Sequence, residues 1–234
     1  MSLKEQLISY GHTQFLNMTE TELQARREQT IAKTFMWMWI SLLLSFIVAY
    51  TTALWILPLP VSPTLYWVSF LGWLGVVIAM NWKRKSMSYT TLATLLLVFA
   101  VLIGYGLSGI FWIYHLGSVF SIFLLTWGMF LALAFAWYSL KVDITNIRSV
   151  LFIALIMLIV ASVANMFWWS AQFDLWISVI GVIVFSGFIV ADMQMLKKAA
   201  LTADKRIELL MALALFLNFI NLFIFLLRLL GERN

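Results

Sequence analysis

Two apolar stretches near the end of the sequence contain side chains that could bind or transfer charge. FSGFIVADMQMLKK contains Asp192, and LFLNFINLFIFLLRLLG contains Asn218, Asn221 and Arg228. An ionisable or amide group inside a bilayer is costly, so such residues usually pair with one another or line a path that contains water. We therefore expect these four residues to form an ion pathway or a pH-sensitive gate.

The composition predicts a protein whose surface is largely in contact with lipid. Of the 234 residues, 64% are hydrophobic and 11% are charged, whereas a soluble domain has roughly 25% charged residues. The basic residues lie in short segments beside apolar runs, so nothing supports a nucleic-acid partner. We predict an all-α, polytopic integral membrane protein with the lipid bilayer as its main partner.

Seven apolar stretches are long enough to cross the bilayer as helices, which takes roughly 20 residues each. They lie near residues 34–57, 64–81, 88–110, 117–139, 149–169, 175–196 and 208–230. The prolines of LPLPVSP end the first helix, and the third and fourth helices must turn tightly around Gly106, Gly109 and Gly117.

The chain therefore divides into a polar or amphipathic N-terminal tail, residues 1–33, and a seven-helix transmembrane domain, residues 34–234. Within the tail, Thr19 and Glu22 match a capping box. The segment ETELQARREQTIAK that follows Thr19 can continue as a helix into the first span.

The basic residues predict the orientation, because Lys and Arg near helix ends are retained on the cytoplasmic side. Of the 15 basic residues, all but Arg228 and Arg233 fall in the tail or in the second, fourth and sixth connections. This bias places the N-terminus in the cytoplasm and the C-terminus outside.

The polar residues of the last span share one side of the helix. At about 100° per residue, Asn221 lies about −60° and Arg228 about −80° from Asn218. A helix that is apolar except for one polar stripe is expected at the centre of a bundle. Two simpler interpretations stay open: the amides hydrogen-bond neighbouring helices, and Arg228 extends its long side chain to the outer surface.

Asp192 lies near the inner end of the sixth predicted span. If it is buried, desolvation disfavours its charged form and a basic partner favours it, so its protonation would respond to pH. The alternative is a carboxylate at the membrane surface that pairs with a nearby basic residue. The candidate basic residues are Lys83, Arg84, Lys85 and Lys197.

The motifs of common enzymes are missing, so we do not expect an enzyme. The sequence contains no GxxxxGK[ST], HExxH or GxSxG pattern, no cysteine, and two histidines, His12 and His115. His115 beside Tyr114 is better interpreted as part of an interfacial aromatic belt than as a metal ligand. We place Asp174 in the outer headgroup region.

The same two stretches give the sequence a resemblance to the Bax inhibitor-1 family of transmembrane proteins. FSGFIVADMQML is similar to a family run that ends in aspartate. LFLNFINLFIFLLRLLG is similar to the family's closing pattern of LYLD, then INLF, then a leucine-rich end with arginine and glycine. The specific motifs cover about the last fifty residues, and the seven spans extend the agreement over most of the chain.

The resemblance implies a calcium leak that responds to pH, in which two aspartates of the sixth and seventh helices share a proton and latch to an arginine near the second helix. Asp192 matches the first aspartate and is the residue expected to contact the passing calcium ion; no resident cofactor is expected. Asn218 replaces the second aspartate, which removes the like-charge coupling of a carboxylate pair. Arg84 is the nearest candidate for the latch.

We accordingly expect a calcium-permeable leak channel or exchanger, modulated through Asp192, in a bacterial inner membrane. The alternative is a non-conducting regulator that binds other membrane proteins, such as a membrane-bound protease, through the N-terminal tail. Deleting residues 1–30 would distinguish the two, because a regulator should lose its effect whereas a channel should keep most of its flux.

Overall fold

The computed structural model describes residues 18–55, 63–82, 86–139, 147–168, 170–201 and 204–234, and nearly all of them are helical. An isolated β-bridge joins Tyr114 and Arg233. The all-α prediction is confirmed. The helices are α1 (Glu20–Trp55), α2 (Pro63–Trp82), α3 (Tyr89–Leu107), α4 (Ile110–Ile113), α5 (Leu116–Ser139), α6 (Ile147–Trp168), α7 (Ala171–Ala199) and α8 (Ile207–Leu230).

Six of these helices, α1, α3, α5, α6, α7 and α8, are long and apolar enough to cross a membrane. Helix α2 has 20 residues and occupies the place of the second predicted stretch. In the most apolar window of α8, 72% of the residues are buried, against at most 39% in the other five helices. The chain is therefore a helical membrane protein, and its last helix is the most enclosed of these six.

Helix α1 begins well before the apolar stretch that it contains. The Thr19 backbone N–H donates to Oε2 of Glu22 at 2.8 Å, and the Glu22 N–H donates to Oγ1 of Thr19 at 3.3 Å. This reciprocal pair is the predicted capping box, and no break separates residues 20–33 from the span. The predicted continuation of the tail as a helix is confirmed.

The two predicted breaks that carry proline or glycine fall between helices. Helix α1 ends at Trp55 and α2 begins at Pro63; the two prolines at positions 58 and 60 lie outside the described residues. Between α3 and α5 lie a turn at Ser108 and Gly109 and the four residues of α4. Of the three glycines predicted to form this connection, Gly109 lies in the turn, whereas Gly106 lies in α3 and Gly117 in α5.

The chain forms two compact units. Unit 1 contains the described residues up to Gly109 together with Leu196–Ala214. Its helices α1 and α3 lie very close, because a Cβ atom on Gly104 would be 2.5 Å from the backbone oxygen of Ser45. The Ser45 hydroxyl donates to the carbonyl of Ala100 at 2.8 Å across the same contact. Small residues of this kind allow close helix packing inside membranes.

Unit 2 contains Ile110–Met195 and Leu215–Asn234. Aromatic rings fill its interior: the ring of Phe219 in α8 lies 5.0 Å from the Trp127 ring and 5.6 Å from the Phe123 ring, both in α5. Helices α7 and α8 approach closely at Gly181, where a Cβ atom would lie 2.6 Å from the ring of Phe225. This packing fixes the relative positions of the polar residues that α7 and α8 carry.

Candidate ionic site

Asp192 is a buried carboxylate with two polar partners, all within unit 2. It is 3% exposed, and the Asn218 side-chain amide donates to its Oδ2 at 2.7 Å. Its Oδ1 lies 3.4 Å from Nη2 of Arg148, an ion pair in which the arginine side chain is 44% exposed and the aspartate side chain 4%. We refer to Arg148, Asp192 and Asn218 as the ionic site.

Three helices contribute one residue each to this site. Arg148 is the second residue of α6, Asp192 lies in the last two turns of α7, and Asn218 lies near the middle of α8. The close approach of α6 to α7 depends on Gly187, because a Cβ atom there would lie 2.8 Å from the side chain of Leu151. Leu151 follows Arg148 by one turn, so the small residue in α7 helps to bring the arginine within reach of the carboxylate.

The position of Arg148 argues for a role beyond helix formation. A cation in the first turn of a helix is disfavoured by the positive end of the helix dipole, yet this guanidinium lies there, against Asp192 and the sulfur of Met195. The attraction of the buried carboxylate offsets that cost. Arg148 therefore neutralises the charge of Asp192 from a position where its own side chain is 44% exposed.

The site offers few ligands for a cation. Asp192 supplies one carboxylate and Asn218 one amide, whereas calcium prefers six to eight oxygen atoms. Across the described residues, no three His, Cys, Asp or Glu side chains come close enough to hold a metal ion together. The arrangement therefore does not resemble a closed metal site. It is a single charged group that a cation could contact only briefly.

The remaining residues of the polar stripe lie elsewhere. Asn221 donates to the carbonyl oxygen of Leu217 at 2.8 Å, one turn earlier on its own helix. Arg228 forms an ion pair with Asp174, near the start of α7, and its guanidinium lies 5.8 Å from the centre of the Phe225 ring. Of the four predicted site residues, the structure thus brings together Asp192 and Asn218.

The sequence did not identify Arg148 as the partner of Asp192. The predicted latch Arg84 lies outside the described residues, and the ion pair that the structure describes for Asp192 is with Arg148. The available signal was the charge distribution, because Arg148 is one of the basic residues predicted to lie on the cytoplasmic side, which is also the predicted side of the inner end of the span that carries Asp192.

Comparisons with known proteins agree with the predicted class. A family model described as "Inhibitor of apoptosis-promoting Bax1" matches residues 27–234. The inner membrane protein YbhL of Escherichia coli strain K12 is 34% identical over 215 residues, which cover 87% of this chain and 92% of that protein. An uncharacterised protein of Borreliella burgdorferi is 36% identical over 217 residues, 89% of this chain and 94% of that protein. One from Deinococcus radiodurans is 30% identical over 234 residues, 94% of this chain and 98% of that protein.

Proposed function

Because the chain belongs to the Bax inhibitor-1 family, we propose that it is a calcium-permeable leak channel or exchanger whose pathway is controlled at Asp192. The observation that carries the proposal is the ionic site: a carboxylate 3% exposed, held by Asn218 and paired with a half-exposed Arg148. Ionisable residues at membrane depth commonly mark ion pathways. The proposal assigns no catalytic step to any residue.

In this proposal Arg148 and the passing cation compete for the same carboxylate. While Arg148 is in place, the charge of Asp192 is neutralised and the site attracts a cation weakly. When the arginine swings toward water, the carboxylate oxygen and the Asn218 side chain become available to the cation. One carboxylate and one amide give weak binding, which suits conduction because an ion must leave as readily as it enters.

Asn218 is expected to weaken the dependence of this control on acid. An aspartate at that position would face Asp192, and two neighbouring carboxylates titrate as a coupled pair. An asparagine instead supplies a neutral hydrogen bond that does not change with pH. We therefore propose that conduction persists from neutral to acidic conditions with a shallow pH profile.

The proposal places seven spans in a bacterial inner membrane, with the N-terminus in the cytoplasm and the C-terminus outside. It counts α2 with the six helices that are long and apolar enough to cross. The positive-inside bias supports this orientation, and the printed name of YbhL assigns that relative to an inner membrane.

Calcium flux into liposomes that contain the purified protein tests the proposal. We expect wild type to conduct and Asp192→Asn to conduct less, because the variant lacks the charged oxygen. Glu28→Gln is the matched control, since it makes the same chemical change at an exposed position of α1. An absence of flux from wild type, with folding verified by thermal unfolding, would reject the leak and favour a regulator.

A regulator that binds other membrane proteins is the second candidate, and one observation favours it. The first turns of α1 extend the span as a helix, and Glu20, Glu22, Gln24 and Glu28 are exposed on it. Such a polar helix surface could contact a partner without a conducting path. Reversing the charge of Glu28 should then reduce partner binding, whereas a leak should keep its flux.

A further inference from the structure

Unit 1 contains a second buried carboxylate that the ionic site does not use. Glu208, in the first turn of α8, is 4% exposed. Its Oε1 lies 3.8 Å from Nζ of Lys33 in α1, and its Oε2 accepts a hydrogen bond from the Tyr89 hydroxyl at 3.2 Å. The Trp37 indole N–H donates in turn to the Tyr89 hydroxyl at 2.9 Å. One carboxylate therefore joins an interior turn of α1 to the first residue of α3 and the first turn of α8.

This carboxylate is not engaged in capping its own helix. The Asp204 carboxylate accepts from the Arg206 backbone N–H at 3.0 Å. The first N–H groups of α8 bond to preceding carbonyl oxygens, including Glu208 N–H to Lys205 at 3.2 Å. Since these backbone N–H groups have acceptors other than the Glu208 carboxylate, the Glu208 side chain is available for contacts between helices.

A second contact holds the same part of α1. Leu23 and Leu201 are each 1% exposed and pack together, with Met18 against them. Leu201 lies in the turn that follows α7, which joins the helix of Asp192 to the helix of Asn218. Leu23 and Lys33 are ten residues apart on α1, or about 15 Å along the helix axis. Residues 20–37 are thus held at two separate points, one apolar and one ionic.

The ionic contact is built so that it can open. Glu208 is buried, but the side chain of Lys33 is 39% exposed, so the ammonium group can exchange the carboxylate for water. A buried ion pair of this kind adds little net stability compared with apolar packing. Loss of one partner, in contrast, is strongly destabilising, because it leaves the other charge buried without a counter-charge. Such a contact therefore changes between a paired and an unpaired state more readily than a continuous apolar interface separates.

We propose that residues 20–37 form an N-terminal strap, which Glu208 holds closed over the turn after α7. When the contacts of Glu208 are lost, the strap lifts from Leu201 and the turn is released. This conformational device goes beyond the proposed function, because it does not depend on whether the protein conducts calcium. It acts on the covalent connection between α7 and α8.

Hydrogen–deuterium exchange of the full-length protein in lipid nanodiscs tests the strap. In Glu208→Gln we expect the amides of residues 20–37 and of 197–201 to exchange about tenfold faster, because a hydrogen bond to a charged group contributes about that factor to a local opening equilibrium. Leu23→Ala should accelerate the same two segments through the apolar contact. Gln29→Ala, an exposed change on the same helix, should leave both segments unchanged.

The internal reference is α6, which belongs to unit 2. Equal acceleration of the strap, the turn and α6 in Glu208→Gln would show that Glu208 supports only global stability and would overturn the proposal. Unchanged exchange in the strap would overturn it as well. Tyr89→Phe removes one hydrogen bond and keeps the carboxylate, so it gives the same readout, with a smaller expected increase, if Glu208→Gln does not fold.

Discussion

Replacing Arg148 by methionine should increase calcium flux, and it should do so only while Asp192 is present. The substitution keeps a long apolar side chain at the start of α6 but removes the positive charge that lies 3.4 Å from the Asp192 carboxylate. With Arg148 gone, the carboxylate is held by Asn218 alone and becomes more available to a passing cation. In Asp192→Asn the arginine has no charge to neutralise, so its removal should have no further effect.

The size of the increase follows from the geometry of the pair. At 3.4 Å, opposite unit charges attract by about 5 kcal/mol at an effective dielectric constant of 20 and by about 1 kcal/mol in water. Arg148 is 44% exposed, so solvent screens the interaction and the lower part of the range, about 1 to 2 kcal/mol, applies. That free energy corresponds to roughly a 5- to 30-fold change in the occupancy of the state in which no arginine neutralises the Asp192 carboxylate.

The assay is a double-mutant cycle measured by calcium flux into liposomes at constant pH. It compares wild type, Arg148→Met, Asp192→Asn and the double variant, each at equal protein content. Arg233→Met is the matched control, because it removes an exposed arginine that lies over the Tyr114 ring. Thermal unfolding of every variant separates a change in conduction from a loss of folded protein.

Two results would refute this reasoning. If Arg148→Met left the flux of the folded protein at the wild-type level, the ion pair would not limit access to Asp192. If Arg148→Met increased flux equally in the Asp192→Asn background, the arginine would act through another group. Additive effects in the cycle would therefore separate Arg148 from the carboxylate that it contacts.

Three further predictions concern unit 2 and the helix packing of unit 1. Asn218→Asp should steepen the dependence of flux on acid between about pH 5 and 8, because two facing carboxylates titrate as a coupled pair; equal pH profiles for this variant and wild type would contradict the role given to Asn218. Arg228→Gln should lower the melting temperature by about 2 to 4 °C, since Asp174 loses a charged partner worth about 1 kcal/mol; adding Asp174→Asn should cause little further loss. Gly104→Ala should lower the free energy of unfolding by about 1 to 3 kcal/mol, because the added methyl group would meet the backbone of α1. Gly106→Ala is the control on the same helix, because its added methyl group would have no neighbour within 4 Å. It should leave stability unchanged or slightly increased.

Local properties of the sequence were sufficient for the helical framework. A run of about 20 apolar residues identifies a span whatever lies beside it, since the hydrophobic thickness of the bilayer sets the length. The Thr19 and Glu22 capping box is likewise complete within four residues. Asp192 and Asn218 could also be singled out from the sequence, because an ionisable group and an amide stand out in an apolar helix.

The partners of these groups depended on packing between helices that are distant in the sequence. Asn218, Asn221 and Arg228 share one side of an ideal helix, yet the amide of Asn221 bonds to its own backbone and Arg228 meets Asp174. An angle around one helix does not give the axial position of the neighbouring helix. That position depends on close contacts such as Gly187 with Leu151.

The sequence by itself thus determined the class of protein, the approximate spans and two residues of the ionic site. The tertiary structure decided that Arg148 pairs with Asp192 and that Glu208 is buried beside Lys33 and Tyr89. The physical reason is that hydrophobic length and helical periodicity are properties of one segment, whereas an ion pair requires the axial alignment of two helices, which interhelical packing sets.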